Sequence, residues 1–195
     1  MKVKICGITD LKDAAMCEEK GADMLGFVYF PGKMRSLPLS EIAKMIASLD
    51  RSTMKVVACD PKDAREASVF HRITGADFLQ VYSLPPEALQ EFRDYGGKVI
   101  RAIRPSRDEA TRFSGSADAL LFEMGQPGTG TSYDYSKVPT ECCPRSIIGG
   151  GLRVDNLDRA KAKNPYALDV SSGVESVPGR KDPQLVSEFI RRCRE

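Results

Sequence analysis

The side chains of this sequence that can donate or accept protons stand where short apolar runs end. Cys6 closes the run KVKIC, Tyr82 closes DFLQVY and Glu123 closes DALLFE, while Asp169 is the next-to-last residue of YALDV. Thiol and carboxyl groups are donors and acceptors of general acid–base catalysis. An uncompensated buried charge costs much free energy, so groups of this kind at the ends of buried segments predict a shared functional cavity.

Glycine-rich segments follow the later apolar runs, at residues 128–132 (GTGTS), 149–152 (GGGL) and 171–174 (SSGV). Glycine lets the backbone approach a ligand closely, and successive free N–H groups attract a phosphate. A single glycine-rich segment often marks only a turn, but two of them after the last two apolar runs favour a phosphate site. The predicted phosphate-binding residues are Gly130, Gly150, Gly151, Ser172 and Gly173.

Eight apolar runs alternate with amphipathic stretches along the chain. The predicted strands cover residues 2–6, 23–29, 54–59, 77–82, 98–103, 118–123, 145–149 and 166–170. The predicted helices cover residues 11–20, 39–49, 62–73, 86–94, 107–114, 155–163 and 182–193. Repeated strand–helix units imply a parallel sheet, and eight of them predict an α/β fold, the closed (β/α)8 TIM barrel.

One interval of the predicted barrel has poor helical periodicity. Residues 124–144 are rich in Gly, Pro, Ser and Thr, so the helix after strand 6 is predicted to be reduced or missing. No linker divides the chain, and residues 1–195 are predicted to form a single domain. Because such barrels typically have about 250 residues, with about 200 near the lower limit, this chain has no room for a lid or a cofactor domain.

The strands of a parallel barrel need an apolar outer face, because helices pack on it, and successive side chains alternate between the two faces. This alternation predicts that the side chains pointing into the barrel include Lys4, Cys6, Gln80, Tyr82, Arg101, Glu123 and Asp169. Barrel enzymes place their chemistry at the carboxyl ends of the strands. Two structural alternatives stay open: Cys6 as a small buried apolar residue, and Glu123 in a salt bridge with Lys4 or Arg101.

The composition limits the partners. Lys+Arg is 29 and Asp+Glu is 27, a net charge of +2, whereas proteins that follow nucleic-acid backbones carry a clear basic excess. No apolar run approaches the roughly 20 residues of a membrane span, and no secretory signal is visible, so we expect no membrane partner and a cytoplasmic location. The six cysteines are expected to be reduced, and neither they nor the single histidine show the spacing of a metal site.

Motifs along nearly the whole chain resemble those of phosphoribosylanthranilate isomerase, an enzyme of tryptophan biosynthesis. The resemblance rests on residues 4–9 (KICGIT), 21–23 (GAD), 26–27 (GF), Arg35, 79–80 (LQ), 128–130 (GTG), 133–135 (YDY), 150–152 (GGL), Asn156, 169–175 (DVSSGVE), 178–179 (PG) and 181–182 (KD). The opening and closing motifs are the most specific of these.

The resemblance implies a cofactor-free Amadori rearrangement, in which N-(5-phosphoribosyl)anthranilate becomes 1-(2-carboxyphenylamino)-1-deoxyribulose 5-phosphate. It implies that Cys6 is the base at C2 of the sugar and that Glu123 occupies the position of the acid that protonates the ring oxygen. It further implies substrate binding by Arg35, at the anthranilate carboxylate, and by Gln80 and Asp169. A carboxyl group in a half-enclosed apolar site and a thiol with a free pKa of about 8.5 suit these two roles. The expected state is a monomer or a homodimer.

Three features depart from the family pattern: Glu123 replaces an aspartate, Tyr82 replaces a histidine, and residues 31–35 read PGKMR in place of serine-proline-arginine. Two other functions stay open. One is the related aminoaldose isomerase of histidine biosynthesis, although that family carries an aspartate and a phosphate loop in each half. The other is a phosphate-ligand-binding barrel without catalysis.

Overall fold

The structure, a computed structural model, describes residues 1–124 and 130–195. Eight parallel strands close into a barrel in the order of the sequence, which confirms the predicted (β/α)8 fold. The strands are β1 (Lys2–Cys6), β2 (Met24–Tyr29), β3 (Met54–Cys59), β4 (Phe78–Val81), β5 (Val99–Ile103), β6 (Ala119–Phe122), β7 (Ser146–Ile148) and β8 (Ala167–Val170). The barrel closes where β1 pairs with β8, in a register that places Lys4 beside Asp169.

Helices follow most strands and pack on the outside of the barrel. They are α1 (Leu11–Glu19), α2 (Leu39–Ala47), α3 (Ala64–Thr74), α4 (Pro86–Asp94), α5 (Arg107–Phe113), α6 (Leu157–Lys161) and α7 (Pro183–Arg194). The start of α1 is set by Asp10, whose side chain accepts a hydrogen bond from the backbone N–H of Asp13. No helix among the described residues is long and apolar enough to cross a membrane.

The interval between β6 and β7 holds only two short 3-10 helices in its described part, Tyr135–Lys137 and Thr140–Cys142. For the described part of the interval, this confirms the prediction that the helix after strand 6 is reduced or missing. A second short feature was not predicted. After β8, the 3-10 helix Ser172–Val174 leads into an antiparallel ribbon of β9 (Glu175–Val177) and β10 (Arg180–Lys181), which precedes α7.

The strands separate two apolar layers. The outer layer lies between strands and helices and is the larger, with Ile5 and Phe27 among its fully buried side chains. The inner layer fills the barrel and consists of Met24, Val56, Ile100, Ala102, Ala119, Leu121, Ile147 and Ala167. Side chains above this inner plug, at the carboxyl ends of the strands, therefore face a cavity that does not continue through the barrel.

Strand β5 reverses the predicted alternation. Ile100 and Ala102 belong to the inner layer, and Arg101 points outward, with its guanidinium carbon 4.5 Å from the centre of the Phe113 ring in α5. Arg101 Nη1 donates to the carbonyl oxygens of Ala102, at 2.5 Å, and Val81, at 3.4 Å. The prediction was wrong because both faces of this strand are buried, and an arginine can pack its stem and stack its head on an aromatic ring beneath a helix.

Arg101 therefore has no part in the cavity, and we expect Arg101→Met to change the free energy of unfolding by less than about 1 kcal/mol. Methionine fills similar space, and the substitution removes a desolvated cation whose Nε is buried without a hydrogen-bond partner in the described residues. Urea unfolding tests this, with Arg112→Met as the control, because exposed Arg112 lies over the same ring at 5.1 Å. A loss above about 3 kcal/mol would contradict it.

Candidate active site

A cavity of about 550 Å³ opens at the carboxyl ends of the barrel strands. It is lined by nine of the ten predicted site residues, namely Cys6, Arg35, Gln80, Glu123, Gly130, Gly150, Gly151, Asp169 and Ser172. Gly173 does not border the cavity. Gly128 and Thr129, from the first predicted glycine segment, lie outside the described residues. The structure thus brings together residues from strands and loops that are distant in the sequence.

An ion pair lies at the base of this cavity. Lys4 Nζ donates to Asp169 Oδ1 at 2.9 Å, and the Lys4 side chain is 0% exposed. Burial by itself would lower the pKa of Lys4, but the negative charge of Asp169 and, after it, that of the Cys6 thiolate raise the pKa overall. Lys4 is therefore a permanent buried cation directly below the residues that could exchange protons.

Cys6 lies at the end of β1, two residues beyond Lys4 and paired in register with Gly26 of β2. A Cβ atom at Gly26 would stand 2.7 Å from Cys6 Sγ and 3.1 Å from Lys4 Nζ, so glycine makes the space that both groups share. Burial raises the pKa of the Cys6 thiol, Asp169 adds to that rise, and Lys4 opposes it. Lys4 is thus the main stabiliser of a thiolate at this position.

Glu123 directly follows β6 and also lines the cavity. Burial, and secondarily the charge of Asp169, raise its pKa from 4.5 to about 7, while Lys4 and the Tyr82 hydroxyl act in the other direction. Its Oε1 atom is buried and has no hydrogen-bond partner among the described residues. The alternative of a salt bridge with Lys4 or Arg101 does not hold, because Lys4 is bound by Asp169 and Arg101 faces outward. Glu123 can therefore remain a neutral proton donor near pH 7.

Gln80 and Tyr82 form the wall beside Glu123. Gln80 Nε2 donates to the Tyr82 hydroxyl oxygen at 2.5 Å, and Gln80 Oε1 is buried without a partner in the described part of the chain. The Tyr82 ring meets Phe30 edge to face, with their centres 5.5 Å apart. Burial raises the pKa of Tyr82 well above 10, so its hydroxyl keeps its proton and serves only in hydrogen bonding.

Arg35 reaches the cavity from the loop after β2 and is held by Glu175. Its Nε donates to Oε1 at 2.9 Å and its Nη2 donates to Oε2 at 2.6 Å, the paired geometry of a guanidinium and a carboxylate. The stem of Arg35 lies over Gly7, where a Cβ atom would be 2.6 Å from Arg35 Cδ. Nη1 is the nitrogen that Glu175 does not engage. Arg35 therefore sits next to the residue that follows Cys6.

The predicted phosphate loops pack tightly against one another. Gly151 adopts φ +64°, and a Cβ atom there would be 2.3 Å from the backbone N of Ser132, while at Gly173 it would be 1.9 Å from the carbonyl oxygen of Leu152. Neither position can carry a side chain in this arrangement. The Tyr135 hydroxyl donates to the Gly150 carbonyl oxygen at 2.7 Å and so fixes the second loop.

Sequence reasoning missed the partners that hold the functional side chains. It placed Lys4 in the barrel but did not pair it with Asp169, and it quoted Glu175 only within a motif, without assigning it to Arg35. It also missed Phe30 and Met34, which line the cavity beside Arg35. The end-of-strand rule that selected Cys6 and Glu123 would also have pointed to Phe30, which directly follows β2.

Comparisons with known proteins give one consistent result. The family described as N-(5'phosphoribosyl)anthranilate (PRA) isomerase matches residues 3–192. The N-(5'-phosphoribosyl)anthranilate isomerase of Methanothrix thermoacetophila is 35% identical, over 99% of this chain and 98% of that protein.

Solved structures agree. The crystal structure of phosphoribosyl anthranilate isomerase from Thermus thermophilus is 31% identical with a TM-score of 0.89, over 98% of both chains. A phosphoribosyl anthranilate isomerase in complex with reduced 1-(o-carboxyphenylamino)-1-deoxyribulose 5-phosphate is 26% identical with a TM-score of 0.88, over 100% of this chain and 98% of that one.

Replacing Asp169 by asparagine tests the charge balance of the site. Because Asp169 raises the pKa values of both Cys6 and Glu123, we expect Asp169→Asn to lower both while Lys4 stays buried. Alkylation of Cys6 by iodoacetamide at pH 7, followed by peptide mass spectrometry, should become several-fold faster. The control is Asp23→Asn, which removes a carboxylate paired with Lys2 instead. Slower alkylation would contradict the assignment.

Glu123→Gln should stabilise the protein in a pH-dependent way. The pKa of Glu123 is about 7 in the folded state against 4.5 in the unfolded state, so the stability it contributes is full below pH 4.5 and is lost as the pH rises through 7. Glutamine cannot ionise, so the free energy of unfolding of the variant, relative to that of wild type, should increase by about 2 kcal/mol as the pH rises from 5 to 8. Urea unfolding at both pH values measures this. The same difference in unfolding free energy between variant and wild type at pH 5 and at pH 8 would refute the raised pKa of Glu123.

Proposed function

The chain belongs to the N-(5'-phosphoribosyl)anthranilate isomerase family, and from that membership we propose which of its residues carry the reaction. The protein converts N-(5'-phosphoribosyl)anthranilate into 1-(2-carboxyphenylamino)-1-deoxyribulose 5-phosphate, an isomerisation in tryptophan biosynthesis. The observation that carries the proposal is the placement of Glu123, with a pKa of about 7, and of Cys6, beside buried Lys4, in the wall of one cavity.

Glu123 is the general acid of ring opening. Its proton passes to the ring oxygen of the ribose as the bond from that oxygen to C1 breaks. The lone pair of the anthranilate nitrogen then forms a C=N bond to C1. A carboxyl group with a pKa near the working pH combines a useful neutral population with a good driving force for donation.

Cys6 is the base of the second step. Its thiolate, stabilised by Lys4, takes the proton from C2, and the electron pair forms a C1–C2 double bond while the nitrogen becomes neutral. The thiol then returns a proton to C1, and the hydroxyl proton on C2 passes to the Glu123 carboxylate, which leaves a ketone at C2. No atom is gained or lost, and both side chains recover their starting states.

The remaining residues hold the substrate. Arg35 receives the anthranilate carboxylate, and the adjacent Phe30 and Met34 cover the aromatic ring. Gln80 and Asp169 meet the sugar hydroxyls from the wall beside the acid. The backbone at the glycine-rich loops takes the phosphate, with Gly130, Gly150, Gly151 and Ser172 at the cavity. Gly173, which does not border the cavity, allows the close packing of its loop against Leu152.

Residues 1–195 constitute the catalytic domain in this proposal, and its place of action is the cytoplasm, where the six free cysteines stay reduced. The aminoaldose isomerase of histidine biosynthesis and a binding barrel without catalysis are the competing functions. Assay of both aminoaldose substrates on the same preparation separates them, because only phosphoribosylanthranilate should be consumed at a high rate.

Removing either proton-transfer group should abolish most turnover. We expect Cys6→Ala and Glu123→Gln each to lower kcat by about 10²–10⁴-fold while the fold persists. Consumption of phosphoribosylanthranilate, followed by the fluorescence of its aromatic amine, measures this without added metal or nucleotide. Cys17→Ala serves as the control, since Cys17 is a buried thiol of α1 outside the cavity. Full activity in both variants would rule out the mechanism.

The pH profile distinguishes the two groups. The active form needs neutral Glu123, with a pKa of about 7, together with ionised Cys6, whose pKa is raised above 9.0. This form therefore increases with pH up to about 7, stays level, and declines only as the thiol ionises fully. We expect kcat/KM of wild type to level off near pH 7 and the residual kcat/KM of Glu123→Gln to keep rising. If kcat/KM of Glu123→Gln also levels off near pH 7, a group other than Glu123 causes the levelling in wild type.

A further inference from the structure

We infer that Lys181, which has no contact with the cavity, sets the affinity of the protein for a substrate carboxylate by neutralising Glu175 behind Arg35. The inference rests on the proposed function in one respect, the binding of that carboxylate by Arg35. It assigns to Lys181 and Glu175 a positioning and charge-balancing role that is distinct from proton transfer.

Glu175 holds two cations at once. Its carboxylate accepts from Arg35 at 2.9 and 2.6 Å and from Lys181 Nζ at 2.7 Å, and the backbone N–H of Gly179 adds a fourth bond at 3.2 Å. These donors hold the pKa of Glu175 at about 2 against the opposing effect of burial. Glu175 is therefore an anion throughout the pH range in which the protein would be assayed.

The charge count shows why the second cation matters. Arg35 and Glu175 alone make a neutral pair, and the carboxylate of Glu175 would repel a substrate carboxylate that approaches the same guanidinium. Lys181 adds one positive charge, so the three groups together carry +1. The Lys181 side chain is 0% exposed and that of Glu175 is 4% exposed, so solvent screens this charge little.

The charge of Lys181 acts from a fixed place. Its Nζ also donates to the Ser171 carbonyl oxygen at 3.2 Å, and its backbone N–H donates to Asp13 Oδ2 at 2.7 Å. Its field reaches the cavity, because it lowers the pKa of Cys6. Arg35, by contrast, faces the cavity and is 17% exposed. Arg35 is thus presented to the ligand, while Lys181 compensates the charge of Glu175, the carboxylate that positions Arg35.

Two stable ligands isolate the carboxylate. They are 1-(2-carboxyphenylamino)-1-deoxyribitol 5-phosphate and its counterpart without the carboxyl group. The Kd of the counterpart divided by the Kd of the carboxylated ligand measures the preference for the carboxylate. Isothermal titration calorimetry should show that Lys181→Met and Lys181→Gln each lower this ratio about tenfold, through weaker binding of the carboxylated ligand alone. The control is Arg180→Met, which removes a cation from an exposed neighbour in β10 and should leave the ratio unchanged.

The outcomes separate the inference from its premise. If Arg35→Ala abolishes the preference while both Lys181 variants keep the wild-type ratio, Arg35 binds the carboxylate but the inference is overturned. Equal weakening of both ligands in the Lys181 variants also overturns it, because that is the effect of a purely structural residue. If Arg35→Ala keeps the preference, the proposed role of Arg35 fails first. Unchanged binding of the ligand without the carboxyl group confirms that each variant retains an intact cavity.

Discussion

The site depends on the buried cation Lys4, whose charge acts on three acidic groups. Asp169 takes its hydrogen bond, and Cys6 and Glu123 lie within its field. Because Asp169 already neutralises much of the charge of Lys4, this lysine only partly offsets the cost of burying a second anion beside it. Burial and the negative charge of Asp169 therefore both favour the protonated forms of Cys6 and Glu123. For Glu123 the result is a pKa of about 7, which is the property that the proposed general acid requires.

The arrangement of charges around Lys4 depends on the register of the barrel strands. The closure of β1 on β8 sets Lys4 beside Asp169 in register, and the pairing of β1 with β2 places Gly26 where any side chain would collide with Cys6. Replacing a buried ion pair by apolar residues often leaves stability unchanged or improves it, so the pair is weak support for the fold. What the pair does in this structure is shift the pKa values of Cys6 and Glu123, on which the proposed mechanism depends. The Arg35–Glu175–Lys181 cluster follows the same plan, with a buried lysine balancing a carboxylate.

The sequence alone predicted the parts of the structure that follow from periodicity. All eight strands, the seven helices and the loss of the helix after β6 lie close to their predicted positions, because apolar alternation and capping residues are local signals. It failed at Arg101, since a strand buried on both faces offers no polar–apolar contrast to orient it. It also failed to pair Arg35 with Glu175, which is 140 residues away along the chain. Residue types named the candidate catalytic groups, but only the fold shows which charges compensate one another.

Two oxygen atoms left without partners connect this charge balance to the substrate. Glu123 Oε1 and Gln80 Oε1 are both buried and lack hydrogen-bond donors among the described residues. Unpaired buried acceptors are rare in folded proteins, because each costs free energy that only a partner can recover. Both atoms belong to residues that line the cavity, and in the proposed mechanism the sugar supplies the missing donors through its hydroxyl groups. The longer side chain of a glutamate, compared with an aspartate, then has a physical role in the proposed mechanism, because it carries the carboxyl group one methylene further from β6 toward the sugar.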